Sequence, residues 1–187
     1  MAEKPSGIDR FLYFLVHVKG LLTHGFRKTY FSQWGEDIAI VSYFRKKNGF
    51  YIDVGAYHPL HYSNTHLLHT RGWRGINIDP NPDSIALMKV YRPKDIHLNN
   101  GIAERAETKT YYVFNHQSCN TFSPSHKEAM LTRPFMRLIR EVEVPCIPLQ
   151  SVIDTHAKGT HIDLLNIDVE GMGLSVLRSF DITKIRH

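Results

Sequence analysis

Two short apolar runs, each closed by an acid, set the pattern of this chain. In Phe50–Val54 the residues Phe50, Tyr51, Ile52 and Val54 follow one another with no polar alternation, and Asp53 is the one charge. A strand covered on both sheet faces reads this way. Gly55 follows, at a turn where the backbone approaches something closely and a side chain would obstruct it. Residues 75–79 repeat the pattern and end at Asp79. The interval predicts one helix over about residues 63–69, with Ser63 as its cap and Asn64 in its exposed first turn. Strand, glycine turn, helix, strand and acid make a βαβ unit, in which the second acid is placed to take ribose hydroxyls.

The rest of the chain extends an α/β pattern. A helix is predicted over residues 32–47, with Ser32 as cap, Glu36 and Asp37 in the first turn, and Ile38, Ile40, Val41 and Phe44 inward. Asn81 as cap and Pro82 at the first helical position begin another helix, through Met88 to Tyr91. A third strand over residues 95–99 ends at Asn100, Gly101 and Ile102. Residues 109–114 alternate as an antiparallel strand does. Residues 115–130 are polar and read as a long loop, of the kind that forms lids and binding loops. A strand over residues 141–147 and a helix at Leu149–His156 follow. Residues 162–168 form a fourth core strand ending in Asp168. The turn Val169-Glu170-Gly171 leads into a helix with Leu174, Val176 and Leu177 inward.

The two ends differ from this pattern. Residues 1–30 read as an N-terminal helical arm, whose apolar run over residues 11–22 is interrupted by His17 and Lys19. It is shorter than the roughly 20 apolar residues a bilayer span needs. It packs on the domain or, flanked by Lys4, Arg10, Lys19, Arg27 and Lys28, makes peripheral contact with a membrane. At residues 181–187 a doubly wound sheet should continue, and the fourth core strand is left with an open apolar edge. The domain of residues 31–187 therefore reads as C-terminally truncated, or as completed by a partner subunit in a homo-oligomer.

Composition adds little. With 187 residues, 42% hydrophobic and 22% charged, the chain suits one globular domain. The net charge of +5 is dispersed rather than gathered into a basic face, so no nucleic-acid partner is expected. Two cysteines, Cys119 and Cys146, form neither a CxxC motif nor a disulfide framework, which suggests a reducing, cytoplasmic setting. His58, His61, His66 and His69 match no zinc spacing, so no metal site is predicted, although Asp168 and Glu170 carry oxygen ligands that suit magnesium.

The glycine turn lacks the three-glycine dinucleotide pattern. A ribose without a pyrophosphate points to S-adenosylmethionine rather than a nicotinamide cofactor. Six motifs stand in order: Ser32-Gln33-Trp34-Gly35-Glu36-Asp37, Tyr51-Ile52-Asp53-Val54-Gly55-Ala56, Pro59 with Ser63-Asn64-Thr65, Gly72-Trp73-Arg74-Gly75, Ile78-Asp79-Pro80-Asn81-Pro82, and Ile167-Asp168-Val169-Glu170-Gly171. Together they resemble the FkbM-type methyltransferase family. The resemblance implies a class I, Rossmann-like doubly wound fold and S-adenosylmethionine-dependent O-methylation of hydroxyls on sugars, polysaccharides or related natural products. Asp79 stands where the family more often has glutamate, and keeps the carboxylate.

On this reading Asp53 and the backbone of Gly55, Ala56 and Tyr57 hold the methionine end of the cofactor, with Ser63 and Asn64 beside them. Asp79, with Pro80, takes the ribose. Asn100, Gly101 and Ile102 flank the adenine. Asp168 lies near the transferred methyl. Attack on a sulfonium methyl needs an aligned hydroxyl and a base for its proton, for which Glu170 ranks before Asp168 and His58. Two other readings stand beside this one: an RNA methyltransferase, which would need a basic face with exposed aromatics, and a noncatalytic binding or assembly domain.

Overall fold

A computed structural model describes residues 30–184; the predicted arm, apart from Tyr30, lies outside the described residues. The helices are α1 (Glu36–Tyr43), α2 (His66–Thr70), α3 (Pro82–Tyr91), α4 (Pro124–Leu131), α5 (Leu149–His156) and α6 (Gly173–Arg178). The strands are β1 (Phe50–Val54), β2 (Arg74–Ile78), β3 (Ile96–Leu98), β4 (Gly101–Ile102), β5 (Glu107–Phe114), β6 (Leu138–Ile147) and β7 (Leu164–Ile167). Four strands form a parallel sheet in the order β3-β2-β1-β7. A second sheet, β4-β6-β5, is built on the antiparallel β5–β6 pair. None of the described helices is long and apolar enough to cross a membrane.

Strand β1 is flanked on both sides, and its successive side chains enter two different cores. Ile52 and Val54 pack with Ile76, Ile78, Ile102, Leu149, Val152 and Val176. Tyr51, on the other face, packs with Val41, Leu68 and Trp73. Two covered faces explain the unbroken apolar run. The Trp73 ring is fully buried, 2.7 Å from where a side chain on Gly49 would begin. Trp34, by contrast, is 81% exposed.

A polar row crosses the same sheet. The register pairs Asn166 with Asp53, Asp53 with Asn77, and Asn77 with His97. Arg92, one residue past α3 and 1% exposed, closes over this row. Its guanidinium donates to Tyr51 Oη (3.1 Å), Thr65 Oγ1 (2.8 Å), Asn77 Oδ1 (3.1 Å), Ser63 Oγ (2.9 Å) and the Pro59 carbonyl (2.8 Å). Asp95 accepts from Tyr51 Oη and Asn77 Nδ2. Burial alone would push Asp95 up, but its contacts with His69, Tyr51 and Asn77 outweigh it and hold the carboxyl below its ordinary range.

Several boundaries differ from the sequence expectation, each for a local reason. Helix α1 starts only at Glu36, because Ser32 Oγ accepts the N–H groups of Gly35 and Asp37 in a turn ahead of it, and ends at Tyr43, where Phe44 turns extended. Ile38 is exposed rather than inward. Ser63 does not cap α2: its hydroxyl is taken by Arg92. Thr65 stands at the cap position without capping, since its hydroxyl donates to Asp53 and accepts from Arg92. Asn81 does cap α3, its Oδ1 accepting from Asp83 N at 3.1 Å. On α6 only Val176 is buried; Leu174 is 60% and Leu177 48% exposed, on a helix of six residues beside the edge strand β7. Gly101 and Ile102 leave the first sheet and pair with β6.

The polar stretch predicted as a loop holds a 3-10 turn, Gln117–Cys119, and the helix α4. Ser123 caps α4, its Oγ accepting from His126 N at 3.2 Å, and Pro124 takes the first position. Only Met130 of this helix is buried, so the apolar period that announces a helix is missing. Ser123→Ala is expected to destabilise the protein by about 1 kcal/mol, read as a lower urea midpoint; an unchanged midpoint would remove the cap from the account.

Candidate functional site

The site forms where the carboxyl ends of β1, β2 and β7 meet. Gly55 N and Ala56 N donate to Ile78 O at 2.9 and 3.2 Å, and Asp168 N donates to Val54 O at 2.9 Å. These bonds close the strand tips against one another. Gly55 has φ +82°, and a Cβ on it would lie 2.0 Å from the Asp168 carbonyl oxygen. No residue with a side chain fits there.

A cavity opens beside this turn. Its wall includes Gly55, Tyr57, Asp79, Pro80, Asn100, Gly101, Ile102, Asp168 and Glu170 from the predicted set. Asp79 is 5% exposed, and its carboxylate is aimed by two backbone amides: Tyr57 N on Oδ2 at 2.9 Å and Asn81 N on Oδ1 at 2.8 Å. Burial raises its pKa to about 6, against the pull of those two bonds. Tyr57 and Tyr62 both adopt left-handed backbone, with φ +48° and +55°, and their rings stack 6.4 Å apart in the wall. Backbone held in that region costs about 1 kcal/mol or more per residue and persists only where the surroundings impose it.

Asp168 and Glu170 sit on the exposed side of the cavity. Desolvation, then the carboxylates of Asp53, Glu170 and Glu36, push Asp168 above its ordinary value. The segment before α4 forms the facing wall, with Gln117, Asn120, Thr121 and Phe122 lining it. Thr121 Oγ1 donates to the Glu170 carbonyl at 2.6 Å, and His126 Nε2 lies 3.5 Å from Glu170 Oε2. Thr121 also bridges Tyr112 through both backbone groups, so this wall is fixed to β5. Gln33 lines the cavity from the opposite end of the chain.

Five predicted residues do not line it. Asp53 is buried, with its oxygens bonded to Thr65 Oγ1 (2.6 Å) and Asn166 Nδ2 (2.8 Å), which makes it a brace of the polar row. Asn64 bonds Asn166 at 3.2 Å, and Ser63 serves Arg92. Ala56 is buried and contributes its amide to the β2 tip. His58 is buried, and its Nδ1 accepts the N–H groups of Leu60 and His61 at 3.0 Å each, which holds the following loop. Tyr62, Gln117 and Asn120 were not anticipated; their only signal was a polar, aromatic composition near the predicted turns. Among the described residues no group of three or more His, Cys, Asp or Glu side chains is arranged to hold a metal ion.

Among the described residues the cavity wall carries three acids, Asp79, Asp168 and Glu170, and no Lys, Arg or His. Such a site favours positive or neutral ligands and repels phosphate. No curated protein and no solved structure gives a match to the chain. Residues 53–187, which hold β1 from Asp53 onward and nearly all of the cavity wall, match the family described as Methyltransferase FkbM domain. With that match spanning most of its length, and with the strand-tip cavity inside it, the chain belongs to the FkbM methyltransferase family.

Proposed function

We propose that this protein is an S-adenosylmethionine-dependent O-methyltransferase acting on an uncharged hydroxyl acceptor, such as a sugar, a polysaccharide or a related natural product. The observation that carries this reading is Asp79, held by two backbone amides at the tip of β2 in the wall that Gly55 also lines. The strand order β3-β2-β1-β7, with helices covering both faces, supports a class I, Rossmann-like sheet.

The residues present fit the cofactor. Each Asp79 oxygen accepts one backbone bond and keeps capacity for a ribose hydroxyl. Ile78, Ile102, Tyr111 and Phe122 offer apolar surface for an adenine, and Gly101 lets that wall close in. The missing Cβ at Gly55 lets the β7 tip close on β1 at the cavity, beside the place the amino-acid end would take. When bound, S-adenosylmethionine supplies an electrophilic methyl on a positively charged sulfur. Glu170 accepts the proton of the acceptor hydroxyl, and Thr121, bonded to its carbonyl, fixes the turn that carries it. Tyr57, Tyr62, Gln117 and Asn120 present rings and amides that suit a neutral polyol. An RNA acceptor would bring phosphates to a wall whose described residues include three acids and no Lys, Arg or His, which is why that reading ranks lower.

Calorimetry with S-adenosylmethionine, followed by labelled-methyl transfer to neutral glycans, tests the proposal; no heat and no thermal shift at millimolar ligand would overturn it. Asp79→Asn is expected to weaken binding by about 10- to 100-fold, as charge-assisted hydrogen bonds worth about 1.5–3 kcal/mol are lost. The ribose hydroxyls donate to the carboxylate form, and Asp79 takes up a proton as pH falls through about 6. Affinity should therefore be flat above that pH and fall by up to about tenfold per pH unit below it. A pH-independent Kd from 5 to 8 would remove Asp79 from the ribose contact.

A further inference from the structure

We propose that the cavity selects its ligand by charge: Asp168 and Glu170, with no Lys, Arg or His among the described residues of the wall, favour the sulfonium cofactor over its neutral thioether product. The inference rests on the methyltransferase reading above and goes beyond it, because it fixes which of two nearly identical molecules the site prefers. S-adenosylmethionine and S-adenosylhomocysteine share the adenosine and the amino-acid tail. They differ by one methyl and one positive charge. Asp79, the adenine wall and the Gly55 turn therefore serve both alike.

What remains to tell them apart is the field. Asp168 and Glu170 stand two residues apart at the β7 tip, on the turn that Thr121 fixes from the facing wall. Asp79 adds a third acid, and among the described residues Lys, Arg and His contribute nothing to the wall; His126 stands behind Glu170, its Nε2 3.5 Å from Oε2. Arg92, buried, is spent inside the sheet, bonded to Tyr51, Thr65, Asn77 and Ser63. Opposite charges attract across such a cavity more strongly than in bulk water. Methyl transfer removes the ligand's net positive charge and the attraction with it, so the product leaves more readily than the cofactor.

Calorimetry on the full chain at pH 8 and low salt tests this with three probes: S-adenosylmethionine, S-adenosylhomocysteine, and an analogue with a protonated amine in place of the sulfonium. We expect the two cationic ligands to bind about fivefold or more tighter than the thioether. The gap should narrow at high salt, because both carboxylates are exposed. It should narrow in Asp168→Asn and, separately, in Glu170→Gln, which changes an exposed side chain and guards against a misfolded first variant. Equal binding of all three probes, or tighter binding of the thioether, would overturn the inference and leave the donor assignment standing. Failure of all three to bind would overturn the donor assignment, and this preference with it.

Discussion

Gly55→Ala is expected to raise the Kd for S-adenosylmethionine by more than about 100-fold and to lower stability by about 2–4 kcal/mol. Two costs combine. Alanine at φ +82° is strained by about 1 kcal/mol. The new Cβ would also lie 2.0 Å from the Asp168 carbonyl oxygen, 2.9 Å from its carbonyl carbon and 3.2 Å from Val169 Cγ1. Those first two atoms are backbone and cannot rotate aside. The β7 tip must move, and the bond from Asp168 N to Val54 O, now 2.9 Å, must stretch or break. Overpacking of this kind costs about 1–3 kcal/mol. The movement also carries Asp168 and Glu170 out of register with Asp79 on the neighbouring side of the cavity. Thermal unfolding and calorimetry on one preparation separate the two effects. A folded variant that binds like the parent would mean that the β1–β7 junction is not part of the ligand wall.

Arg92→Met is expected to cost about 3–5 kcal/mol, enough to leave little folded protein at 37 °C. The variant keeps much of the side-chain volume and removes the charge. It strands five acceptors and takes away the positive charge that pulls against the burial of Asp53. Arg92→Lys should rescue little of this, because a single ammonium cannot reach acceptors on Pro59, Ser63, Thr65 and Asn77 together. Thr65→Val removes one link of the same chain and should cost less, about 1–3 kcal/mol. Urea midpoints give the order. If Arg92→Met lies within 1 kcal/mol of the parent, the network is decoration and not a brace.

The sequence made the central frame readable because β1 and β2 are covered on both faces and need no polar alternation. It made α3 and α5 readable because Asn81-Pro82 and Leu149–His156 carry local signals that no distant contact overrides. Gly55, Asp79, Asp168 and Glu170 were readable as tip residues, since an acid or glycine at a strand end has few other reasons to be there. Arg92 was not. At the end of an amphipathic helix it looks like a solvated cation, and its burial depends on Asn166, Asp53, Asn77 and His97 falling into one row by strand register. Ser63 was misassigned as a cap for the same reason: Arg92, a tertiary partner, takes its hydroxyl. The helix α4 escaped notice because its exposed faces leave no apolar period, although Ser123-Pro124 repeats the signal of Asn81-Pro82.

The chain's two tryptophans stand in opposite surroundings. Trp73 is sealed between Phe44 and the Gly49 backbone, and Trp34 is open to water next to Gln33 at the cavity. Their emission is therefore separable by wavelength without any label. The blue component follows the integrity of the core, and the red component, within reach of soluble quenchers, follows the turn ahead of α1.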